Sequence, residues 1–196
     1  DRKDLYLDLN LDEFKPVVIT TFHPETISNV INAKYLDDLF TRLIKEFPTH
    51  QFLATASNFD LGGSEINNTF KRLSNQFEQI KFVTSLGQKR YYSLMKYADF
   101  MLGNSSSGII EAQSFWLPVI NIGTRQDGRE RNVNTLDVSI DIHEVISASR
   151  KIQNIRFRNL IKKSENIYGD GRSADKIIKC FESIEKEDLF LKKSNF

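Results

Sequence analysis

The sequence is poor in cysteine. Cys180 is the only one among 196 residues. A lone thiol excludes an internal disulfide and a cysteine-cluster zinc site, and it fits a reducing compartment. An excess of charge is missing too. Lys and Arg total 27 against 26 Asp and Glu, a formal net charge of +1. No basic surplus is therefore available for sequence-independent nucleic-acid binding. No apolar run approaches the ~20 residues of a membrane span. The opening DRKDLYLDLNLDEF (1–14) is charged and alternating, unlike a signal peptide. The expected location is thus the cytoplasm. The chain does not begin with Met, which reads as a fragment or a processed product. What is present is an ordinary globular balance, 40% hydrophobic and 27% charged, and a length that suits one domain of ~100–200 residues.

Short β-branched runs alternate with helical patterns. Strands are expected at 16–22, 51–57, 80–85, 99–104, 118–123 and, shorter, 136–141. Helices are expected at 28–47, 64–77, 88–97, 106–116, 142–151 and 173–186, the first of them stopped by Pro48. The tail EKEDLFLKKSNF (185–196) reads as loosely attached, 187–196 most of all. This alternation predicts βαβ units and a doubly wound, Rossmann-like parallel α/β sheet in a single domain over 1–196. Ligands of such sheets bind beyond the carboxyl ends of the strands, near the topological switch point. Candidate residues are therefore sought just after each strand.

GNSSSGIIEAQSF (103–115) stands out. Free N–H groups at a helix start, small side chains and the hydroxyls of Ser105 and Ser106 suit a phosphate. A capping serine with a solvated carboxylate is the plainer alternative. Glu111, less than two turns on, is poorly placed for a phosphate but suits the vicinal hydroxyls of a ribose. A G-x-S-x-G nucleophile elbow is absent. His23 directly follows a strand, where an imidazole could bind phosphate, act as acid or base, or simply satisfy a turn. Arg125 lies nearest the strand end in GTRQDGRER (123–131) and suits a phosphate, while Arg129 and Arg131 read as solvated and balanced by Asp127 and Glu130. Asn58 and Asp60, in SNFDLGG (57–63), could touch a ligand or build a turn. His50 reads as a loop residue and His143 as the start of a surface helix. Neither suggests a metal site. Trp116, Phe100 and Phe115 read as core.

VVITTFHPET (17–26), SNFDLGGSE (57–65), GNSSSGIIEAQSFWLPVINIGTRQDGRERNVNTLDV (103–138) and IYGDGRSADKII (167–178) together resemble the C-terminal half of UDP-N-acetylglucosamine 2-epimerases. The likeness is closer to the hydrolysing branch, which makes N-acetylmannosamine for sialic acid synthesis. The resemblance implies the C-terminal domain of a two-domain, glycosyltransferase-B-type enzyme, with the N-terminal domain missing. By motif, Ser105 and Ser106 correspond to diphosphate-binding serines and Glu111 to the carboxylate on the ribose hydroxyls. Ser85 and Leu86 fall where backbone groups meet the uracil. His23 matches the catalytic histidine beside the diphosphate, Arg125 the arginine of the TRQ element, and Asn58 the matched polar loop. The implied partners are a UDP-sugar substrate, the UDP product and, in the full-length enzyme, further copies of the chain. No metal, redox cofactor, nucleic acid or membrane is implied. The implied reaction removes the C2 proton, eliminates UDP to a glycal and hydrates it. The isolated half is expected to be inactive and to expose an apolar face, its final helix lacking a packing partner. A glycosyltransferase of the same architecture and a non-catalytic nucleotide-sugar-binding domain are the alternatives.

Overall fold

Val17–Thr21 (β1) has no exposed residue, because each face of the strand is covered. Val17 and Ile19 point into one cluster of buried apolar side chains, and Val18 points into another. That explains a β-branched run without polar alternation. Gln51–Thr55 (β2), Ile80–Val83 (β3), Phe100–Gly103 (β4), Val119–Ile122 (β5) and Thr135–Val138 (β6) complete a six-stranded sheet. The order is β3-β2-β1-β4-β5-β6 and every pairing is parallel. The protein is thus a doubly wound Rossmann-like domain whose strand order reverses between β1 and β4. The structure is a computed structural model and describes residues 1–25, 31–58 and 62–184.

Helices cover both faces. Ala33–Glu46 (α2) carries Leu36, Leu39, Phe40 and Leu43 at helical spacing, and Gly63–Gln76 (α3) carries Ile66, Phe70 and Leu73. With Ile142–Lys151 (α6) they build one core layer, where Phe40 meets Phe70 edge-on at 5.2 Å between ring centres. Arg2–Asp8 (α1) and Gly87–Tyr97 (α4) cover the other face. Ser106–Ile110 (α5) joins them there and runs into a 3₁₀ turn, Ala112–Phe115.

The strands form where the sequence places them, each a little shorter. Three helical expectations change. The opening segment is a helix capped by Asp1, whose carboxylate accepts the Asp4 N–H at 3.0 Å. Its leucines at 5, 7, 9 and 11 alternate like a strand, yet Leu5, Tyr6 and Leu9 are buried and Leu7 is exposed. Ile155–Lys162 (α7) was not expected, since only Ile161 on it is buried. The expected helix at 106–116 divides at Glu111, so Trp116 projects to solvent at 56% exposure rather than into the core. Ser173–Glu182 (α8) exposes Ile177, Ile178 and Phe181. Among the described residues no helix is long and apolar enough to cross a membrane. The tail at 185–196 and the start of the expected helix at 28–47 fall wholly or partly outside the described residues.

Candidate functional site

The reversal of strand order makes the site. The helices after β1 and β4 leave on opposite faces of the sheet, so a crevice opens between the two strand ends. Thr21 and Gly103 are paired there. Gly103 has φ +140°, and a Cβ on it would stand 2.0 Å from the Thr21 carbonyl oxygen. Only glycine permits that approach. The next residue, Asn104, is fully buried and stitches the two exits together. Its Oδ1 accepts the His23 N–H at 2.7 Å and its Nδ2 donates to the His23 carbonyl at 2.9 Å. Its own carbonyl accepts from Arg125 Nη1 at 3.2 Å and Gln126 Nε2 at 2.8 Å. One asparagine thereby joins the loops after β1, β4 and β5.

His23 is half-buried and held from the β2 side. Its Nδ1 accepts the Asn58 N–H at 3.1 Å and lies 3.2 Å from Asn58 Oδ1 and 3.4 Å from Ser57 Oγ. In the neutral ring this places the proton on Nε2.

The three serines differ. Ser105 is the N-cap of α5 and its Oγ accepts from the Ser107 N–H at 3.4 Å. Ser107 Oγ lies 3.0 Å from Ser105 Oγ and 2.7 Å from the Tyr91 hydroxyl on α4. Ser106 makes no side-chain hydrogen bond among the described residues, and its N–H at the first helical position has no partner within the helix. Ser106 therefore retains both donors for an anion, and Ser105 keeps spare acceptor and donor capacity. α5 can begin this close to the sheet because Gly108 lies against it. A Cβ there would stand 2.9 Å from Val119 Cγ1.

Glu111, where α5 gives way to the 3₁₀ turn, faces a cleft of about 380 Å³. Ser85, Leu86, Thr55, Tyr92 and Ser107 share its walls. Glu111 Oε2 is buried with no hydrogen-bond partner among the described residues. Burial raises the Glu111 carboxyl above its usual value, and the Tyr92 hydroxyl offsets part of the rise. Hydrogen-bond donors beyond Tyr92 would favour the ionised form, and a pair of ligand hydroxyls in the cleft would add them. At the cleft's other wall Leu86 caps α4 without a side-chain hydrogen bond of its own, and Ser85 Oγ accepts the Gly87 N–H at 3.2 Å, so the open N–H groups of the helix start lie beyond Gly87.

The loop after β5 closes the crevice. Gly123, at φ +78°, passes so near Glu25 that a Cβ would stand 2.3 Å from Oε1, and the same oxygen accepts the Thr124 N–H at 3.2 Å. Arg125 is half-buried, with its guanidinium on the Asn104 carbonyl, one residue before Ser105. Arg131 is not simply solvated. Its Nε donates to both Asp137 oxygens at 3.0 and 2.9 Å, and its Nη1 holds the Gln126 and Arg129 carbonyls. Asp127, at 3.9 Å, balances it as expected, but the closer partner is Asp137 rather than Glu130, and this clamp braces the loop.

All eight residues singled out in the sequence lie at the carboxyl edge of the sheet. They fall into two neighbouring groups. His23, Asn58, Ser105, Ser106 and Arg125 surround Asn104, while Ser85, Leu86 and Glu111 line the cleft, and Ser107 links the groups. Asp60 lies outside the described residues. The sequence reading missed Asn104, Tyr91 and Glu25. Asn104 carried one available signal, a buried-type amide between a strand-end glycine and a helix-capping serine. Chemically, hydroxyls, an N–H at a helix start and a guanidinium can hold a diphosphate, with a carboxylate beside them for a sugar diol.

The chain matches the family model described as UDP-N-acetylglucosamine 2-epimerase over residues 3–182. It is 32% identical over 194 residues to the GDP/UDP-N,N'-diacetylbacillosamine 2-epimerase (hydrolyzing) of Campylobacter jejuni, which covers 98% of this chain and 50% of that protein. It is 30% identical over 177 residues to polysialic acid biosynthesis protein P7 of Escherichia coli, covering 89% of this chain and 45% of that one. Among solved structures, UDP-GlcNAc 2-epimerase from Neisseria meningitidis, bound to UDP-GlcNAc, superposes with a TM-score of 0.67 at 19% identity, over 93% of this chain and 48% of that one. The chain spans about half the length of the curated relatives it matches.

Proposed function

The chain belongs to the UDP-N-acetylglucosamine 2-epimerase family, and from that premise we propose that it forms the UDP-binding half of a hydrolysing enzyme. The observation that carries the reading is the half-buried Glu111 carboxyl on the wall of a cleft beside the serine loop, one of its oxygens without a hydrogen-bond partner among the described residues. Glu111 accepts the two ribose hydroxyls. Ser85 and Leu86 present backbone groups to the uracil. Ser105, Ser106 and Arg125 hold the diphosphate, and His23, steered by Asn58, stands beside it.

The reaction begins with transfer of the sugar's C2 proton to a base. The C1–O bond then breaks, UDP departs with the electron pair, and a C1–C2 double bond forms. Water next adds hydroxyl at C1 and a proton at C2 from the opposite face. The net change is UDP-N-acetylglucosamine plus water to N-acetylmannosamine plus UDP. Negative charge grows on the departing diphosphate. Preorganised donors there, the His23 Nε2–H and Arg125 among them, lower that barrier more than they strengthen substrate binding. The proton-transfer carboxylates are assigned to a preceding N-terminal domain that completes the single UDP-binding domain described here. On this reading the half alone binds UDP only weakly and does not turn over. The full-length enzyme assembles as a homo-oligomer in the cytoplasm. A UDP-linked diacetamido-trideoxy sugar is the competing substrate, in line with the name of the Campylobacter relative.

The test is an assay of the full-length enzyme with both UDP-sugars in deuterated water. Free manno-configured sugar carrying deuterium at C2, together with UDP and with no acceptor added, is expected. Turnover should fall sharply in His23→Ala. Transfer of the sugar to an acceptor without C2 exchange would instead indicate a glycosyltransferase.

A further inference from the structure

A second cavity, of about 720 Å³, lies between the 3₁₀ turn, the end of α7 and the start of α8. It shares no lining residue with the Glu111 cleft. Trp116 on its wall lies three residues before β5 begins, so the cavity sits towards the amino end of the strands. From this cavity we infer a binding site for a small anionic sugar, separate from the nucleotide site.

Trp116 is the first reason. It ends the 3₁₀ turn at φ +53° and ψ +29°, the left-handed conformation that helix ends normally give to glycine. A bulky residue there strains the backbone. Burial does not compensate among the described residues, where Trp116 is 56% exposed. Neither the backbone nor the described core calls for tryptophan at this position. An indole face on a cavity wall is, however, a good platform for a sugar ring.

Charge is the second reason. Lys162, Lys163, Arg172 and Lys176 line the cavity against Glu165 and Asp170. Asp170 is already engaged by Arg172 and Lys176, and those contacts hold its carboxyl well below the usual range. Lys162 and Lys163 form no ion pair among the described residues. The cavity is therefore net cationic, with two adjacent ammonium groups available.

Gln113 braces the wall between them. Its Nε2 donates to the Ile161 and Ser164 carbonyls at 3.0 and 2.8 Å, which ties the 3₁₀ turn to the end of α7. An indole platform and ammonium groups without an ion pair among the described residues together fit a ring that bears hydroxyls and one negative group, supplied by either a phosphate or a carboxylate.

Trp116 is the only tryptophan, so its emission reports on the site directly. The chain is titrated with N-acetylglucosamine 6-phosphate and with glucuronate, and with N-acetylglucosamine and inorganic phosphate as controls. A saturable change is expected for at least one acidic sugar, at least tenfold tighter than for either control, and which one binds identifies the negative group. Affinity should fall at least tenfold in the Lys162→Ala, Lys163→Ala double variant. Calorimetry on Trp116→Gly should show the same loss with a melting temperature unchanged or raised. The inference is overturned by no saturable change with either acidic sugar, by equal binding of inorganic phosphate or neutral sugar, or by full affinity in the lysine variant.

Discussion

Replacing Glu111 by Gln isolates the proposed ribose contact. The side chain keeps its shape and one acceptor and loses its charge. Hydrogen bonds to a charged group contribute about 1.5–3 kcal/mol, against about 0.5–1.5 for neutral pairs. Two ribose hydroxyls on Glu111 should therefore weaken by about 2 kcal/mol in total, roughly a 30-fold loss of UDP affinity. Pyrophosphate, which lacks the ribose, should bind the variant as it binds the parent. Two further signs follow from the buried carboxyl. Its ionisation is disfavoured in the folded chain, mainly through burial. The folded state then holds its proton to higher pH than the unfolded state. Its contribution to stability is fully present below the usual carboxylate value and is lost as pH rises through the raised one. Glu111→Gln should therefore melt higher than the parent near neutral pH, with the difference vanishing in acid. The advantage of the parent in UDP affinity should grow as pH rises through the same window, because only the ionised form is the stronger acceptor. Isothermal calorimetry at several pH values, with differential scanning calorimetry alongside, reads all of this. Equal losses for UDP and pyrophosphate would refute the ribose assignment, as would unchanged UDP binding.

Asn104→Ala removes two buried hydrogen bonds to the His23 backbone. Urea unfolding should show a loss of about 1–3 kcal/mol, since both His23 groups lose a buried partner, and UDP binding should weaken with it. Asp99 tests the electrostatics away from the site. Burial pushes its carboxyl up, but hydrogen bonds from His50, Gln153 and Arg158 outweigh that and bring it down to about 2. A depressed acid stabilises the fold above its unfolded value and loses that contribution as pH falls towards about 2. Asp99→Asn should thus flatten the acid limb of the stability curve between about 4 and 2, as followed by circular dichroism.

Much of the fold was legible because the sheet is covered on both faces. Strands such as 51–55 then read as short apolar runs bounded by polar loops, and α2 and α3 show their buried stripes at helical spacing. The first helix was hidden because its leucines alternate as in a strand, and it is the packing of Leu5, Tyr6 and Leu9 on one side that selects the helix. α7 carries a single buried residue and so gave no periodic signal. For the site, residues at strand ends could be named because topology alone puts them at one edge. Asn104 could not be ranked above its neighbours, since its role is a contact with His23 made 81 residues away in sequence. The Tyr91 hydroxyl on Ser107 is likewise a product of packing between α4 and α5. Trp116 looked like core because the break at Glu111, which turns its side chain outward, has no glycine or proline to mark it.

The most direct measurement is a calorimetric titration of this chain with UDP, with uridine and pyrophosphate in parallel. If the loops joined by Asn104 and the Glu111 cleft form one nucleotide site, UDP should bind with a stoichiometry of one and more tightly than either part alone. Arg125→Ala should weaken UDP and pyrophosphate together while leaving uridine unchanged. UDP binding no tighter than pyrophosphate, or insensitive to both Arg125→Ala and Glu111→Gln, would contradict the account.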